Sequence, residues 1–559
     1  MRLELWVGPE ASYTRTASHT LDQQELTGFA GRPEDLDRMA SLGASRVRLP
    51  LLWERIMPEQ TPDWTWSDAA LQQLQRLKLD PIAGLVHHGS GPAHTSLLDP
   101  AFPEKLADYA RRVAERYPHL DHWTPVNEPL TTARFSGLYG HWYPHAQDDH
   151  SFVQALLNEL RGTVLAMQAV REINPASQLV QTEDLGRTAS TPALREQAAF
   201  ENERRWITWD LLCGRVGPGH PMWSYLKWAG ATEEQVMWFA EHPCPPGILG
   251  LNLYLTSDRF LDERLDRYPE STHGGNGRQQ YADVEAIRVR GPLQGLHHTR
   301  LMETHERYGL PMALTEVHLG CTREEQLRWL NAAWQGSTEA LLEGADVRAL
   351  TIWSAFGSAE WNSLQTRQEG HYEPGVWDVS AGWPRETALA QLARELVNGE
   401  LLSHPVLPGP GWWQRAERVT YPAEGDVQAL ELTGRPLLLV QGQDELASGL
   451  MEELDHLCWL RGLPVVSVPD DGQVITSQIR RLRPWAVVEV SHPQELRLHW
   501  LGRSPLCIRA DDWDRHALHA ALDLLIDGED GEWHWDGQMM RPNWQRQDGE
   551  SLPPATTTY

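Results

Sequence analysis

Residues 120–128 read LDHWTPVNE, a short apolar-rich run that stops on an amide and a carboxylate just before Pro129. A run of this length bounded by polar residues fits a strand buried on both faces, as in a parallel sheet. Seven other runs share its build: ELWVG near 3–8, SRVRLPLLW at 45–53, DPIAGLVHH at 80–88, SQLVQTED at 177–184, GILGLNLYL at 247–255, PMALTEV at 311–317 and RALTIWSAF at 348–356. Amphipathic stretches separate them. In SDAALQQLQRLKL, Ser67 or Asp68 can cap a helix whose Leu71, Leu74 and Leu77 share one face, and Leu106, Ala110, Val113 and Tyr117 do the same in PEKLADYARRVAERY. Eight strand-plus-helix units over about 395 residues predict an α/β chain with a (β/α)8 TIM barrel over 1–400, an open doubly wound sheet being the competing arrangement.

In such a barrel the working residues gather where the strands end. The polar residues standing there are His87 and His88, Asn127 and Glu128, Glu183 and Asp184, Tyr254, Glu316 and His318, then Glu360 and Trp361, with Arg48 inside the second strand. Carboxylates are seldom buried without partners, so their concentration at strand ends calls for a chemical reason. Glu128 ends the fourth strand and Glu316 the seventh, and these strands face each other across part of a closed mouth. Facing carboxylates are what glycoside hydrolysis requires: one protonates the leaving oxygen, the other stays ionised and attacks the anomeric carbon, and a separation of roughly 5–5.5 Å implies retention. Arg48 is the candidate cation for Glu316, and Tyr254 a candidate hydrogen-bond donor to it. Glu183 and Asp184 read as loop or ion-pair residues.

Composition narrows the partners. With 41% hydrophobic and 23% charged residues the chain reads as soluble and globular. A formal charge of −28, from 49 Lys and Arg against 77 Asp and Glu, repels phosphate backbones and anionic lipid heads, so neither nucleic acid nor a membrane is expected as a partner. The start, MRLELWVGPEAS, holds no signal-peptide run, and no stretch approaches about 20 apolar residues. Five scattered cysteines without a CxxC pair fit free thiols in a reducing cytoplasm rather than disulfides or a metal site, and no cofactor is expected.

The first 400 or so positions resemble glycoside hydrolase family 1, the β-glucosidase family. Its second-strand motif YRFSISWSRI is echoed from Val47 to Ile56, keeping Arg48 and Trp53; its acid/base motif Thr-x-Asn-Glu-Pro is echoed from Thr124 to Pro129, shifted at the Thr but intact at Asn127-Glu128-Pro129. Asn-Tyr-Tyr becomes Asn252-Leu253-Tyr254, and Thr-Glu-Asn-Gly becomes Thr315-Glu316-Val317-His318. WSLMDNFEW aligns without gaps to WSAFGSAEW, Trp353 to Trp361. The resemblance implies a catalytic set of Glu128, Glu316, Arg48, Tyr254 and Asn127, and carbohydrate contacts from His87, Glu360, Trp361 and Trp353. A chain with 26 Trp suits stacking on sugars, Trp361 being the candidate platform.

Departures from the family pattern cluster in the pocket wall. The first-strand Ser-Tyr-Gln becomes Ser12-Tyr13-Thr14, His-Trp becomes His87-His88, and Asn-Gly after the nucleophile becomes Val317-His318. The loop holding THGGNGRQQY from 272 reads as a lid or as a solvated excursion.

Beyond 398 the pattern changes. Prolines and glycines at 408–411 mark a linker, 401–433, and GRPLLLVQG opens a second unit over 434–540, with strands LPVVSVP, PWAVVEV and PLCIRADDW alternating with helical stretches in a small parallel Rossmann-like layer. The wording is similar to dTDP-4-dehydrorhamnose reductases, yet the glycine-turn positions are Gly442, Glu445 and Ser448, no Lys follows residue 434, and the last Tyr is Tyr559. A dinucleotide turn needs glycines to approach the pyrophosphate. The unit therefore reads as a degenerate module without NADP chemistry, packing on the barrel or on a second copy of the chain, followed by a polar, disordered tail over 541–559. Three readings follow: a retaining β-glycosidase, a sugar-binding pseudoenzyme or regulatory protein, and a sugar-nucleotide reductase.

Overall fold

A computed structural model describes residues 2–290, 295–418, 421, 433–441, 445–492, 494–510 and 512–543, the side chains of 441–448 and 491–493 excepted. Eight parallel strands close into a barrel in chain order: β1 (Glu4–Val7), β2 (Arg46–Pro50), β3 (Asp80–His87), β4 (His122–Asn127), β5 (Gln178–Asp184), β6 (Ile248–Leu253), β7 (Met312–Val317) and β8 (Val347–Ile352). β1 pairs with both β2 and β8, which closes the ring. Each lies within or beside a run picked out by hydrophobicity. Between them run α1 (Thr65–Leu77), α2 (Phe102–Arg116), α3 (Asp149–Ile173), α4 (Leu296–Tyr308) and α5 (Arg323–Leu342), and α6 (Ala388–Asn398) follows β8. The start of α1 differs from expectation. The helix begins at Thr65, so Ser67 lies inside it and turns its hydroxyl back onto the Trp64 carbonyl instead of capping.

Alternation along each strand sorts side chains between two cores. Val47, Leu49, Val126, Leu249, Leu251, Met312 and Leu314 point outward into the layer shared with the helices. Trp6, Ile82, Val180, Ile248, Ala313 and Ala349 form a separate apolar plug inside the barrel. Above that plug the inward positions turn polar, with Arg48, Thr124, Asn127, Thr182 and Thr315 buried, and this change of lining places the site at the strands' C-terminal mouth. The 272–281 loop contributes a short strand, His273–Gly275, to a four-stranded sheet with Gln280–Glu285, Arg259–Asp262 and Thr188–Ser190; its tip is exposed.

The second unit is a seven-stranded mixed sheet. Its strands are β9 (Leu437–Gln441), β10 (Val465–Pro469), β11 (Ala486–His492), β12 (Glu495–Trp500), β13 (Leu506–Ala510), β14 (Gly531–Trp535) and β15 (Met540–Pro542), ordered β10-β9-β11-β12-β13-β14-β15. The first three are parallel and joined through α7 (Glu445–Leu460) and α8 (Gly472–Leu482). The layer is not wholly parallel as expected: β12 is antiparallel to both neighbours, and β15 to β14. The alternation of Leu496, Leu498 and Trp500 with charged or polar neighbours is the signal for β12. Gly442 and residues 544–559 lie outside the described residues. Residues 401–418, read as part of a linker, pack closely: Val406, Trp413, Arg415 and Arg418 are buried, and Val406 and Trp413 join one apolar core with Leu327 and Leu330 of α5 and Leu454, Leu518 and Leu522 of the second unit. Residues 515–527 form α9, which lies against α5 and α6.

Candidate active site

Glu316 illustrates how the mouth is built. Strict alternation from Met312 outward and Ala313 inward turns Thr315 inward and Glu316 outward, yet the pairing of β7 with β6 slips between Leu314 and Glu316. Such a bulge re-aims a side chain. Glu316 thus turns into the mouth, where Arg48 Nη1 donates to its Oε1 at 2.7 Å and the Tyr254 hydroxyl donates to Oε2. Arg48 also donates to the Thr315 carbonyl at 2.9 Å and to Asn127 Oδ1 at 2.6 Å, so one cation ties the ends of β2, β4 and β7 together. Its guanidinium lies 4.6 Å over the Trp353 ring.

Glu128 directly follows β4 in the left-handed region, with φ 45°, just before the helical turn Pro129–Ala133. His88 (φ 56°) and Glu360 (φ 61°) share that conformation. Non-glycine residues held there cost on the order of 1–3 kcal/mol each and persist where surrounding contacts impose them, commonly at functional sites. The contacts are visible at Glu128. The Glu183 carboxylate accepts from the Leu130 and Thr131 amides at 3.0 and 3.4 Å, satisfying the first donors of the turn. Asn252 Nδ2 donates to Glu128 Oε1 at 2.5 Å, and Thr315 Oγ1 fixes Asn252 through its Oδ1 at 2.7 Å.

The two carboxyls differ in their electrostatics. Burial raises both. Burial holds Glu128 well above the usual carboxylate range, and the charges of Glu316, Asp184 and Glu183 push it the same way while Asn252 alone opposes them. Burial pushes Glu316 up to about 7, against the lowering pull of Arg48 and Tyr254. Glu128 is therefore the group that keeps a proton when Glu316 has lost its own.

The remaining expected residues line the same mouth. His87 stacks on Trp353, with ring centroids 5.4 Å apart and planes 5° apart, and its Nε2 lies 3.1 Å from Asn127 Nδ2. Gly8 makes room for the indole: a Cβ there would sit 2.5 Å from the Trp353 ring. His88, standing where the family pattern has an indole, lies 3.8 Å from Glu128 Oε2, with Nδ1 3.0 Å from Thr132 Oγ1 and Trp361 against its edge. Burial keeps both imidazoles neutral, His88 down at about 3. The Glu360 carboxylate accepts the amides of Glu369 and Gly370 at 2.8 and 2.6 Å, so its own loop uses part of its acceptor capacity, and each oxygen keeps a further lone pair. Trp361 Nε1 is buried and without a partner among the described residues.

Several contributors escape a reading by strand ends. Glu10 holds the Trp353 indole at 3.0 Å from a position 343 residues away, while its other oxygen accepts the Ala11 and Ser12 amides. Thr14, at the missing glutamine, donates to Gln365 Oε1 at 2.7 Å; Gln365 is fully buried and its Nε2 has no partner among the described residues. No local pattern marks either residue. Asn252 was within reach, since it lies in the Asn252-Leu253-Tyr254 motif.

Comparison with known proteins bears on the fold and the family. A curated 1,4-beta-D-glucan glucohydrolase from Thermotoga neapolitana is 24% identical over 153 residues, covering 25% of this chain and 35% of the relative. Beta-glucosidase 1 from Oryza sativa is 26% identical over 145 residues, covering 24% and 27% respectively. The chain thus spans about a third or less of these relatives' length. Beta-glucosidase structures from Thermotoga maritima share the fold at 16% identity: the cyclophellitol complex matches 71% of this chain and 98% of that one with a TM-score of 0.56, and the glucoimidazole complex 72% and 99% with a TM-score of 0.57. Among the described residues no helix is long and apolar enough to cross a membrane. The sequence model for glycosyl hydrolase family 1 matches residues 26–371, and the chain belongs to that family.

Proposed function

We propose that the chain is a retaining β-glycosidase in which Glu316 is the nucleophile and Glu128 the general acid and base. The observation that carries this reading is the unequal support of two buried carboxyls: Arg48 and Tyr254 both act on Glu316, whereas Glu128 has one amide donor and three carboxylate neighbours that favour its proton. In the first step a Glu316 oxygen bonds to the anomeric carbon as the glycosidic bond breaks, and the Glu128 proton goes to the departing oxygen. In the second, water gives a proton to Glu128 and its oxygen replaces Glu316, so configuration is retained overall. Arg48 and Asn127 fix the nucleophile's surroundings, and His87, Trp353, Glu360 and Trp361 form the wall against which a glycone is held.

The similar proteins named as β-glucosidases and a glucan glucohydrolase support a β-linked carbohydrate substrate. His88 and Thr14 alter the wall that would select the glycone, so glucose is not assigned. A panel of aryl β-glycosides tests the reading: turnover by wild type that disappears in Glu316→Ala supports it. One observation favours a sugar-binding role instead, namely that the Glu360 carboxylate is already engaged by Glu369 and Gly370. Saturable sugar binding with no turnover across the panel would establish that second reading. The remaining expectations, a reducing cytoplasmic setting and self-association through the C-terminal unit, stand as proposals alongside the first.

A further inference from the structure

Helix α5 follows the strand of Glu316 and opens with Arg323, Glu324, Glu325 and Gln326, then Arg328, all buried. Charged side chains are almost never buried unless paired, and most of the partners come from the linker segment and the C-terminal unit. Arg461 clasps Glu324 through two nitrogens and reaches Asp523 at 2.7 Å. Arg415 meets Glu325 at 2.9 Å. Asp527, at the end of α9 with its side chain fully buried, faces Arg323 Nε at 2.9 Å, accepts from Arg385 Nη1 at 2.8 Å and accepts the Ala388 amide at 2.8 Å.

The Asp527 branch differs from the others in where it leads. Arg323 Nη1 donates to the Gly375 carbonyl at 3.2 Å, and Arg385 Nη2 donates to Asp378 at 3.1 Å. Segment 374–378 is thereby gripped at both ends, and Gly375 is pressed so closely on the mouth that a Cβ there would lie 2.0 Å from the Ser354 carbonyl, next to Trp353. The chain just before it is the other side of the sugar-binding loop: the His371 carbonyl accepts the Glu360 amide at 2.9 Å, the Gly370 amide caps Glu360, and Glu373 lies 3.0 Å from His318 Nε2, two residues beyond Glu316. Among the described residues the branch through Arg415 makes no hydrogen bond or ion pair with this segment, and the branch through Arg461 reaches it only by way of Asp523, which accepts the Arg323 amide at 3.4 Å.

We infer that Asp527 of the C-terminal unit is a positioning residue for sugar binding, holding Arg323 and Arg385 so that they fix segment 374–378 and, through it, the loop of Trp353, Glu360 and Trp361. The C-terminal unit is then part of the glycone site's scaffold. This inference rests on the glycosidase reading for its kinetic consequence but not for its structural one.

The experiment compares the full-length chain with Asp527→Asn and with Arg415→Met, an interface variant whose branch does not lead to the loop. Hydrogen–deuterium exchange is read on peptides covering 354–378, well below each variant's melting temperature. Exchange there should accelerate about tenfold in Asp527→Asn and stay at the wild-type rate in Arg415→Met. On aryl β-glycosides, with active sites counted by a slowly released fluoroglycoside, Asp527→Asn should raise KM about tenfold with a smaller change in kcat per active site, as expected for a misplaced binding loop. A Glu360→Gln substitution should then add little in the Asp527→Asn background. Unchanged exchange at 354–378, or equal exchange and equal KM in the two interface variants, overturns the inference. If wild type neither turns over nor traps any glycoside, the glycosidase reading fails while the exchange result still decides the role of Asp527.

Discussion

Replacing Tyr254 with Phe removes one hydroxyl and leaves the ring. That hydroxyl donates to Glu316 Oε2, and burial together with the nearby Glu316 charge holds its own pKa well above the ordinary tyrosine value, so it remains a donor throughout the working range. A hydrogen bond to a charged group is worth about 1.5–3 kcal/mol, and one pKa unit corresponds to about 1.36 kcal/mol, so its loss should raise the Glu316 pKa by about one to two units. The sign follows from which form accepts the bond: the ionised carboxylate does, so the Tyr254 hydroxyl lowers the pKa and its removal raises it. The groups facing Glu316 from the neighbouring elements are Arg48, His87, Glu128 and Glu10, and the substitution leaves all of them in place. On the proposed mechanism attack requires ionised Glu316, so the acid limb of kcat/KM, expected near pH 7 in wild type, moves upward by that amount. The limb set by Glu128 stays, so the bell narrows and its maximum falls. The assay is a pH profile of kcat/KM for both proteins on one aryl β-glycoside. An acid limb that stays at its wild-type position, or moves downward, refutes the reasoning.

Glu128→Ala should lower turnover about a hundred- to ten-thousand-fold on glycosides with poor leaving groups while retaining activity on activated aryl glycosides, where added azide accelerates it; wild-type rates on all leaving groups would contradict the acid role. Glu159 is fully buried in α3 with neither carboxylate oxygen hydrogen-bonded among the described residues, and burial and Glu183 hold its pKa well above the ordinary value. The folded state keeps that proton where the unfolded chain releases it, so stability falls as pH rises above the ordinary carboxyl range, and Glu159→Met should stabilise by about 1–3 kcal/mol at pH 8 and by less at pH 5, read by thermal melting. Arg461→Met strands the buried Glu324 carboxylate and should cost about 3–5 kcal/mol in equilibrium urea unfolding. A loss confined to the few tenths typical of surface pairs would mean that the ion pair contributes little.

The barrel was legible because its strands are short apolar runs at regular spacing, each stopping at a polar residue. Those stopping residues, Asn127, Glu128, Tyr254 and Glu316 among them, do converge on one mouth. What the sequence hid depends on contacts between distant segments. The slip that turns Glu316 inward is a matter of how β7 pairs with β6, which the run MALTEV, apolar except for Thr315 and Glu316, does not report. Glu10 and Gln365 matter through Trp353 and Thr14, hundreds of residues away. The region around 408–411 has the composition of a linker, and its proline and glycine content carries no record of Arg415, buried just beyond it and paired with Glu325 of α5. In the second unit, the expectation of a parallel layer followed the alternating helical stretches and passed over β12, which pairs antiparallel directly after β11 with no helix between them.

The central claim is that Glu316 forms a covalent bond to the sugar while Glu128 supplies the proton. Aryl glycosides fluorinated beside the anomeric carbon and carrying a dinitrophenyl leaving group slow the second step, so that the glycosyl-enzyme accumulates. Proteolysis and tandem mass spectrometry then locate the bond. The account places the adduct on Glu316, at one per chain, with none formed by Glu316→Ala. An adduct on Glu128 or Glu10, or turnover with inverted anomeric configuration and no adduct, would contradict it.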